Sequence, residues 1–288
     1  MTIQAAVMVP HPPLIVPEVG KGEELKIQDT ITAFTKAMKL IVGLKPETVL
    51  ILTPHSTIYS DYFHISPGKF AFGDLGKFGA PQVKFDIEYD TEFVFELENI
   101  AQDEDLSAGT DGEREKNLDH ATTVPLYFLR KAYGGEIPCK IVRIGLSGMS
   151  LSEHYRFGTL IKKTTEELNR SVCVIASGDL SHVLKKDGPY GYKTEGPEYD
   201  KKIMDVMSRA AFGELLEFPD AFTNEAAECG HRSFTIMAGC LDGISVKPEM
   251  LSYEGPFGVG YGVCTYLPVK TDSRRRFLST HKTVKEMT

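Results

Sequence analysis

Tryptophan is absent from the 288 residues, and cysteine is scarce. The five cysteines (Cys139, Cys173, Cys229, Cys240 and Cys264) include no CxxC pair. That spacing indicates neither a zinc ribbon nor an iron–sulfur site. Cys139, Cys173 and Cys264 fall within strand-like apolar runs and read as buried apolar residues. No apolar stretch approaches the ~20 residues that span a bilayer. No basic segment followed by a long apolar one opens the chain, so no signal peptide is expected. These absences point to a cytoplasmic protein with no membrane role. An excess of basic charge is also missing: the formal charge of −8 argues against nucleic-acid binding. Basic residues gather in "SRRRF" and "HKTVK", in a tail spanning 271–288 that reads as a solvated or poorly ordered terminus. Residues 1–270 read as one domain, with no repeat of solenoid length.

What is present is the profile of a globular protein, with 42% hydrophobic and 25% charged residues. Apolar runs alternate with helical patterns. "ELKIQDTITAFTKAMKLIVGLKP" carries Ile27, Ile31, Phe34, Met38 and Ile41 at helical spacing, closed by Gly43 and Pro46. "DTEFVFELENIAQ" reads as a helix capped by Asp90, and "SLSEHYRFGTLIKKTTEELNR" as one capped by Ser150 or Ser152. Helical regions cover Pro197 to Phe218 and Asp220 to Asp242. "DYFHISP" alternates like a strand, and the glycine-rich "GKFAFGDLGKFGAP" behind it reads as an excursion or lid. "ISVKPEMLSYEG" and "GVGYGVCTYLPV" read as a closing hairpin. The alternation predicts an α/β fold with a central mixed β-sheet and helices on both faces.

The first apolar run ends in "VPHPPL". Proline fixes its own φ and pushes the preceding residue toward extended backbone, so His11 is held stiffly. "TVLILTPHS" repeats the device, the run Val49–Leu52 leading to His55. In "SVCVIASGDLSH" the run Val172–Ala176 turns at Ser177-Gly178 and reaches His182. Three strand-like runs thus each deliver a histidine at or beyond their carboxyl end, where open α/β sheets form their ligand crevice. His11 and His55 read as paired metal ligands, neutral imidazole being the commonest protein ligand; the alternative is a cap on nearby carbonyls. His182, with Asp179 capping a short helix before it, is a candidate general acid/base; the alternative is a surface histidine. His120 begins a helix beside Asp119 and is a candidate for contacting substrate or supporting the ligands. His64 reads as a solvent-facing strand residue, His154 as part of a polar helix face and His281 as part of the tail.

A third ligand is sought in "NEAAECGHRSF". Buried carboxylates are unusual unless paired or metal-bound, which favours Glu228, with Glu225 in reserve. Two histidines and a carboxylate leave open coordination positions and suit non-haem Fe(II). Zinc with a bound water is the competing occupant.

Taken together, "HPPL", "PHS", "DH…VPL", "SGDLSH" and "ECGHRSF" resemble the class III extradiol ring-cleavage dioxygenases. Their counterpart is the catalytic B subunit (LigB-like), as in protocatechuate 4,5-dioxygenase. The closer likeness is to the AmmeMemoRadiSam system protein B branch, which includes the Memo proteins. The resemblance runs from Val7 to about Gly243. It implies a LigB-like catalytic domain, built as a three-layer αβα sandwich with the site at one edge of the sheet. It implies His11, His55 and Glu228 as metal ligands, His182 as the catalytic acid/base, and His120 touching substrate or oxygen. It also implies Fe(II), a small catecholic substrate, O2 and a homodimer. Memo-type relatives carry a cysteine around the carboxylate position. Cys229 therefore stands beside Glu228 and Glu225 as a candidate. Two rivals use the same ligands: a zinc-dependent hydrolase, and a Memo-like protein whose metal site serves partner binding. Phe70, Phe72 and Phe78 suit a partner surface or an apolar lid over a ring.

Overall fold

The computed structural model describes residues 1–278, so the rest of the basic tail, His281 included, lies outside the described residues. The chain opens with β1 (Ile3–Val9) and passes through α1 (Pro17–Gly20) and α2 (Gln28–Leu44) to β2 (Thr48–Thr53). An excursion follows: β3 (Phe63–His64), the hairpin of β4 (Phe70–Leu75) and β5 (Ala80–Glu88), then α3 (Thr91–Asp103) and β6 (Ala108–Gly109). Strand–helix alternation resumes with α4 (His120–Tyr133), β7 (Lys140–Gly145), α5 (Leu151–Glu167) and β8 (Val172–Ser177). Three helices, α6 (Glu195–Ser208), α7 (Asp220–Ala226) and α8 (His231–Cys240), precede β9 (Ile244–Glu254) and β10 (Tyr261–Thr271).

The central sheet has six strands in the order β7-β2-β8-β1-β10-β9. β7, β2, β8 and β1 run parallel, while β10 and β9 run antiparallel and form the expected closing hairpin. The mixed sheet predicted from the sequence is therefore present. The parallel strands are apolar on both faces because both faces are covered. Ala6, Met8, Leu50, Leu52, Val174 and Ala176 pack against Phe93, Phe157, Tyr199 and Phe234 from α3, α5, α6 and α8. Val7, Val9, Val49, Ile51 and Ile175 face the other core, filled by Phe34 and Met38 of α2 and Val124 and Leu129 of α4. Alternate side chains of one strand thus serve opposite layers, and the result is the three-layer αβα sandwich.

Local signals behave as their chemistry requires. Asp90 accepts from the Phe93 amide (3.3 Å) and Ser150 from the Glu153 amide (3.3 Å), capping α3 and α5. The glycine-rich excursion is the β4–β5 hairpin, turned by a short 3-10 segment, Gly76–Phe78. Among the described residues no helix is long and apolar enough to cross a membrane. The start of the tail departs from the solvated terminus expected of it. Arg275 donates to the Ile244 and Ala210 carbonyls (2.9 and 2.7 Å), and Phe277 sets its ring edge-on to Tyr155.

Candidate functional site

Sheet register explains why two distant histidines meet. Val9 pairs with Ser177, and Leu52 with Ala176, so β1, β8 and β2 end at one level. His11 and His55 each stand two residues beyond that level. β8 lies between them, and its terminal Ser177 hydroxyl lies 3.0 Å from His11 Nδ1. The His11 amide donates to Asp179 Oδ1 at 2.7 Å. With Nδ1 engaged, His11 presents Nε2 to His55 Nε2, 3.1 Å away.

His120 completes the group. Its ring stacks on His55 (centroids 4.3 Å apart) and meets His11 edge-on (5.3 Å). One ligand nitrogen from each of the three histidines lies within 4.8 Å of the others. Asp119 brings His120 there. It caps α4 by accepting from the Thr122 amide (3.0 Å), and it accepts from the Thr53 hydroxyl at the end of β2 (2.7 Å). Behind it sits Arg143, 1% exposed in an apolar strand. A buried guanidinium requires partners. Arg143 donates to Ser66 Oγ (2.6 Å) and to the Asn117 and Glu115 carbonyls (both 2.8 Å), with Glu113 and Asp119 carboxylates at 3.6 and 3.8 Å. That anchor fixes the segment leading into His120.

The cluster grades from interior to solvent, with His11 buried, His120 half-buried and His55 exposed. A cavity of ≈310 Å3 opens on His55 and His120, walled by Phe72, Phe78, Leu118 and Lys77. Burial holds His11 well below the usual imidazole range, and repulsion from His55, His120 and His182 adds to it. His120 is pushed down to about 4 by burial and by His55, with Asp119 opposing. Desolvation lowers His55 as well. Neutral imidazoles with converging lone pairs are the donor set a transition-metal cation requires, so these residues fit a metal ion.

His182 stands at the same edge, close enough that its protonated form would hold down the pKa of both His11 and His55. Its Nδ1 makes a short hydrogen bond to the Ala227 carbonyl. A carbonyl only accepts, so Nδ1 carries the proton and Nε2 keeps a free lone pair. Desolvation lowers its pKa and keeps the ring neutral near pH 7.

The expected carboxylate is not brought to the cluster. Glu228 Oε2 accepts from the His231 amide (2.6 Å) at the start of α8, and desolvation lifts its pKa to about 7. An acidic group at a helix N-terminus satisfies free backbone donors. Glu225 is exposed and pairs with Lys193 (2.6 Å). Cys229 comes closer, its Sγ 3.5 Å from His11 Nε2. Gly178 and Gly230 allow this: a Cβ on Gly178 would lie 2.2 Å from the Gly230 Cα. The turn carrying Cys229 therefore presses onto the end of β8.

Other expectations change too. Asp179 caps no helix; it anchors His11 and is lifted to about 7 by burial. The signal for it was the aspartate directly after a strand-ending glycine. His64 is fully buried rather than solvent-facing. His154 is also fully buried, its Nδ1 against the Ser150 carbonyl (2.9 Å) and its Nε2 accepting from the Ser147 amide (3.3 Å).

Fold and site together define a three-layer α/β protein with an imidazole cluster at the carboxyl edge of its parallel strands. Residues 5–264 match the LigB family, described as the catalytic LigB subunit of aromatic ring-opening dioxygenase, and the chain belongs to that family. The protein named CA_C1420 of Clostridium acetobutylicum is 39% identical over 270 residues, covering 91% of this chain and 57% of that protein. A MEMO1 family protein of Methanopyrus kandleri is 26% identical over 211 residues (72% of this chain, 65% of that one). Another, from Methanococcus vannielii, is 26% identical over 170 residues (58% and 55%). The chain thus spans 55 to 65% of the length of these curated relatives. The crystal structure of uncharacterized protein JW3007 from Escherichia coli K12 superposes with a TM-score of 0.57 at 12% identity. That likeness covers 92% of this chain and 99% of that one, and it shows the fold alone.

Proposed function

We propose that this chain is a non-haem Fe(II)-dependent dioxygenase that cleaves a catecholic ring beside its two hydroxyls. The reading rests chiefly on the convergence of His11, His55 and His120 within 4.8 Å at the mouth of a cavity, in a family described by aromatic ring opening. Bound Fe(II) supplies a chelation point for vicinal oxygens and a redox partner for O2. The residues of the chain hold and prepare the substrate. The cavity takes the ring against Phe72, Phe78 and Leu118, with Asp74, Lys77, Glu115 and Asn117 as its polar lining, and His11, His55 and His120 provide the metal seat. His182 Nε2, unprotonated, accepts the phenolic proton and returns it during cleavage. In the overall reaction one ring carbon–carbon bond breaks and both atoms of O2 enter the product.

Relatives of the MEMO1 family and the Cys229 sulfur beside His11 favour a second reading, a Memo-like metal site used for binding. A zinc-dependent hydrolase is the other use of the same seat. Oxygen uptake by anaerobically Fe(II)-loaded protein against a catechol panel separates them. The dioxygenase consumes one O2 per catechol and yields a yellow ring-opened product. Metal binding without O2 uptake on any catechol sinks the dioxygenase and leaves the binding role and the hydrolase.

A further inference from the structure

Two excursions from the sheet carry aromatic rings to two different histidines of the site. The β4–β5 hairpin turns at Gly76–Phe78, and the Phe78 ring meets His120 edge-on, centroids 5.3 Å apart. The segment between β8 and α6 sets Tyr190 edge-on to His182, also at 5.3 Å. Both rings are exposed, Phe78 at 39% and Tyr190 at 65%, so neither serves the core. Both tips are nonetheless anchored. Asp74 Oδ1 accepts from the Gly76 amide at 2.7 Å. Around Tyr190, the Leu184 amide donates to the Gly258 carbonyl (3.1 Å), the Lys193 amide to Val183 (3.0 Å) and Lys185 Nζ to Pro256 (2.8 Å). What sets these two rings apart from other exposed aromatics is their contact with the histidines, where a ring on a fixed support offers apolar area at little ordering cost.

We propose that Phe78, in the cavity beside His120, and Tyr190, beside His182, are specificity-determining walls of the site, each laying its ring against a planar aromatic substrate while its oxygens reach the histidines. This rests on the ring-substrate reading above. Tyr190 acts through its ring, not its hydroxyl.

The test is anaerobic calorimetric titration of the Fe(II)-loaded chain with two chelators, 4-nitrocatechol and acetohydroxamate, the second having two donor oxygens and no ring. Phe78→Ala and Tyr190→Ala each weaken 4-nitrocatechol by roughly 3- to 10-fold, the range of an aromatic contact. Acetohydroxamate affinity stays unchanged, and Tyr190→Phe binds both as the unaltered protein does. Equal weakening of both chelators, unchanged nitrocatechol affinity, or a Tyr190→Phe loss matching Tyr190→Ala overturns the proposal. If the unaltered protein binds no nitrocatechol, the walls and the catechol reading fail together. Ring-selective losses without O2 uptake leave the walls standing and remove only the dioxygenase.

Discussion

Among the described residues, the cleft histidines and those of the helical layer form two sets that burial alone does not distinguish. In the helical layer, His154 and His231 are buried and pushed down to about 4, as His120 is in the cleft. The difference lies in their nitrogens. His154 is satisfied by backbone at Ser150 and Ser147, and His231 by the Leu215 carbonyl (2.9 Å) and the Tyr199 hydroxyl (3.2 Å). In the cleft, His11 and His55 point Nε2 at each other. One proton can serve that contact, so two ring nitrogens share what a cation would satisfy better. A depressed pKa therefore marks burial, whereas converging lone pairs mark a site.

The largest effect that sharpens this contrast comes from removing the convergence. His11→Ala and His55→Ala are expected to lose bound metal and all metal-dependent turnover while remaining folded. Metal analysis after anaerobic loading reads this, and full stoichiometry in either variant would break the ligand assignment. The corresponding change in the helical layer, His231→Gln, keeps the metal.

Next in size is His182→Phe. It keeps the metal, because His182 stands outside the three-nitrogen group. It loses turnover by about 10²–10⁴-fold, the usual contribution of a positioned acid/base. Steady-state O2 uptake near the rate of the unaltered protein would remove His182 from the chemistry.

Strand-ending histidines were legible because proline and apolar runs act locally. "VPHPP" and "TPHS" place their imidazoles at equal offsets, and parallel pairing does the rest. Helices on both faces of a mixed sheet were legible for the same reason, since continuous apolar strands need cover on both faces; the three-layer αβα form came from the family resemblance. What stayed hidden depended on partners remote in the chain. Glu228, read from the sequence as part of an apolar helix end, lies in the turn between α7 and α8; a metal or free backbone amides could each satisfy it, and composition cannot separate them. Structure directs it to the His231 amide. His154 lies on a helix whose polar face the sequence suggests is wet. It is covered because Phe63, far back in the excursion, sets its ring edge-on to it at 4.8 Å. Arg143 carried a signal in plain view, a lone arginine in "KIVRIG". Only the loop it holds shows what it is for.

The smallest expected effect tests the helical-layer half of the comparison. His154 titrates at about 4 when folded and near 6.5 when unfolded. Above pH 6.5 both states are neutral and the group adds no pH dependence. As pH falls from 6.5 toward 4 the unfolded chain takes the proton first, so stability is lost across that window, by up to about 3 kcal/mol. His154→Gln has no such proton to bind. Its stability deficit at pH 7, measured by urea unfolding, should therefore shrink by about 2–3 kcal/mol at pH 4.5. Parallel curves for variant and parent across this range would mean that His154 is not buried neutral. Metal content at pH 7 should be equal in the two, because this histidine spends both nitrogens on backbone and has none to offer an ion.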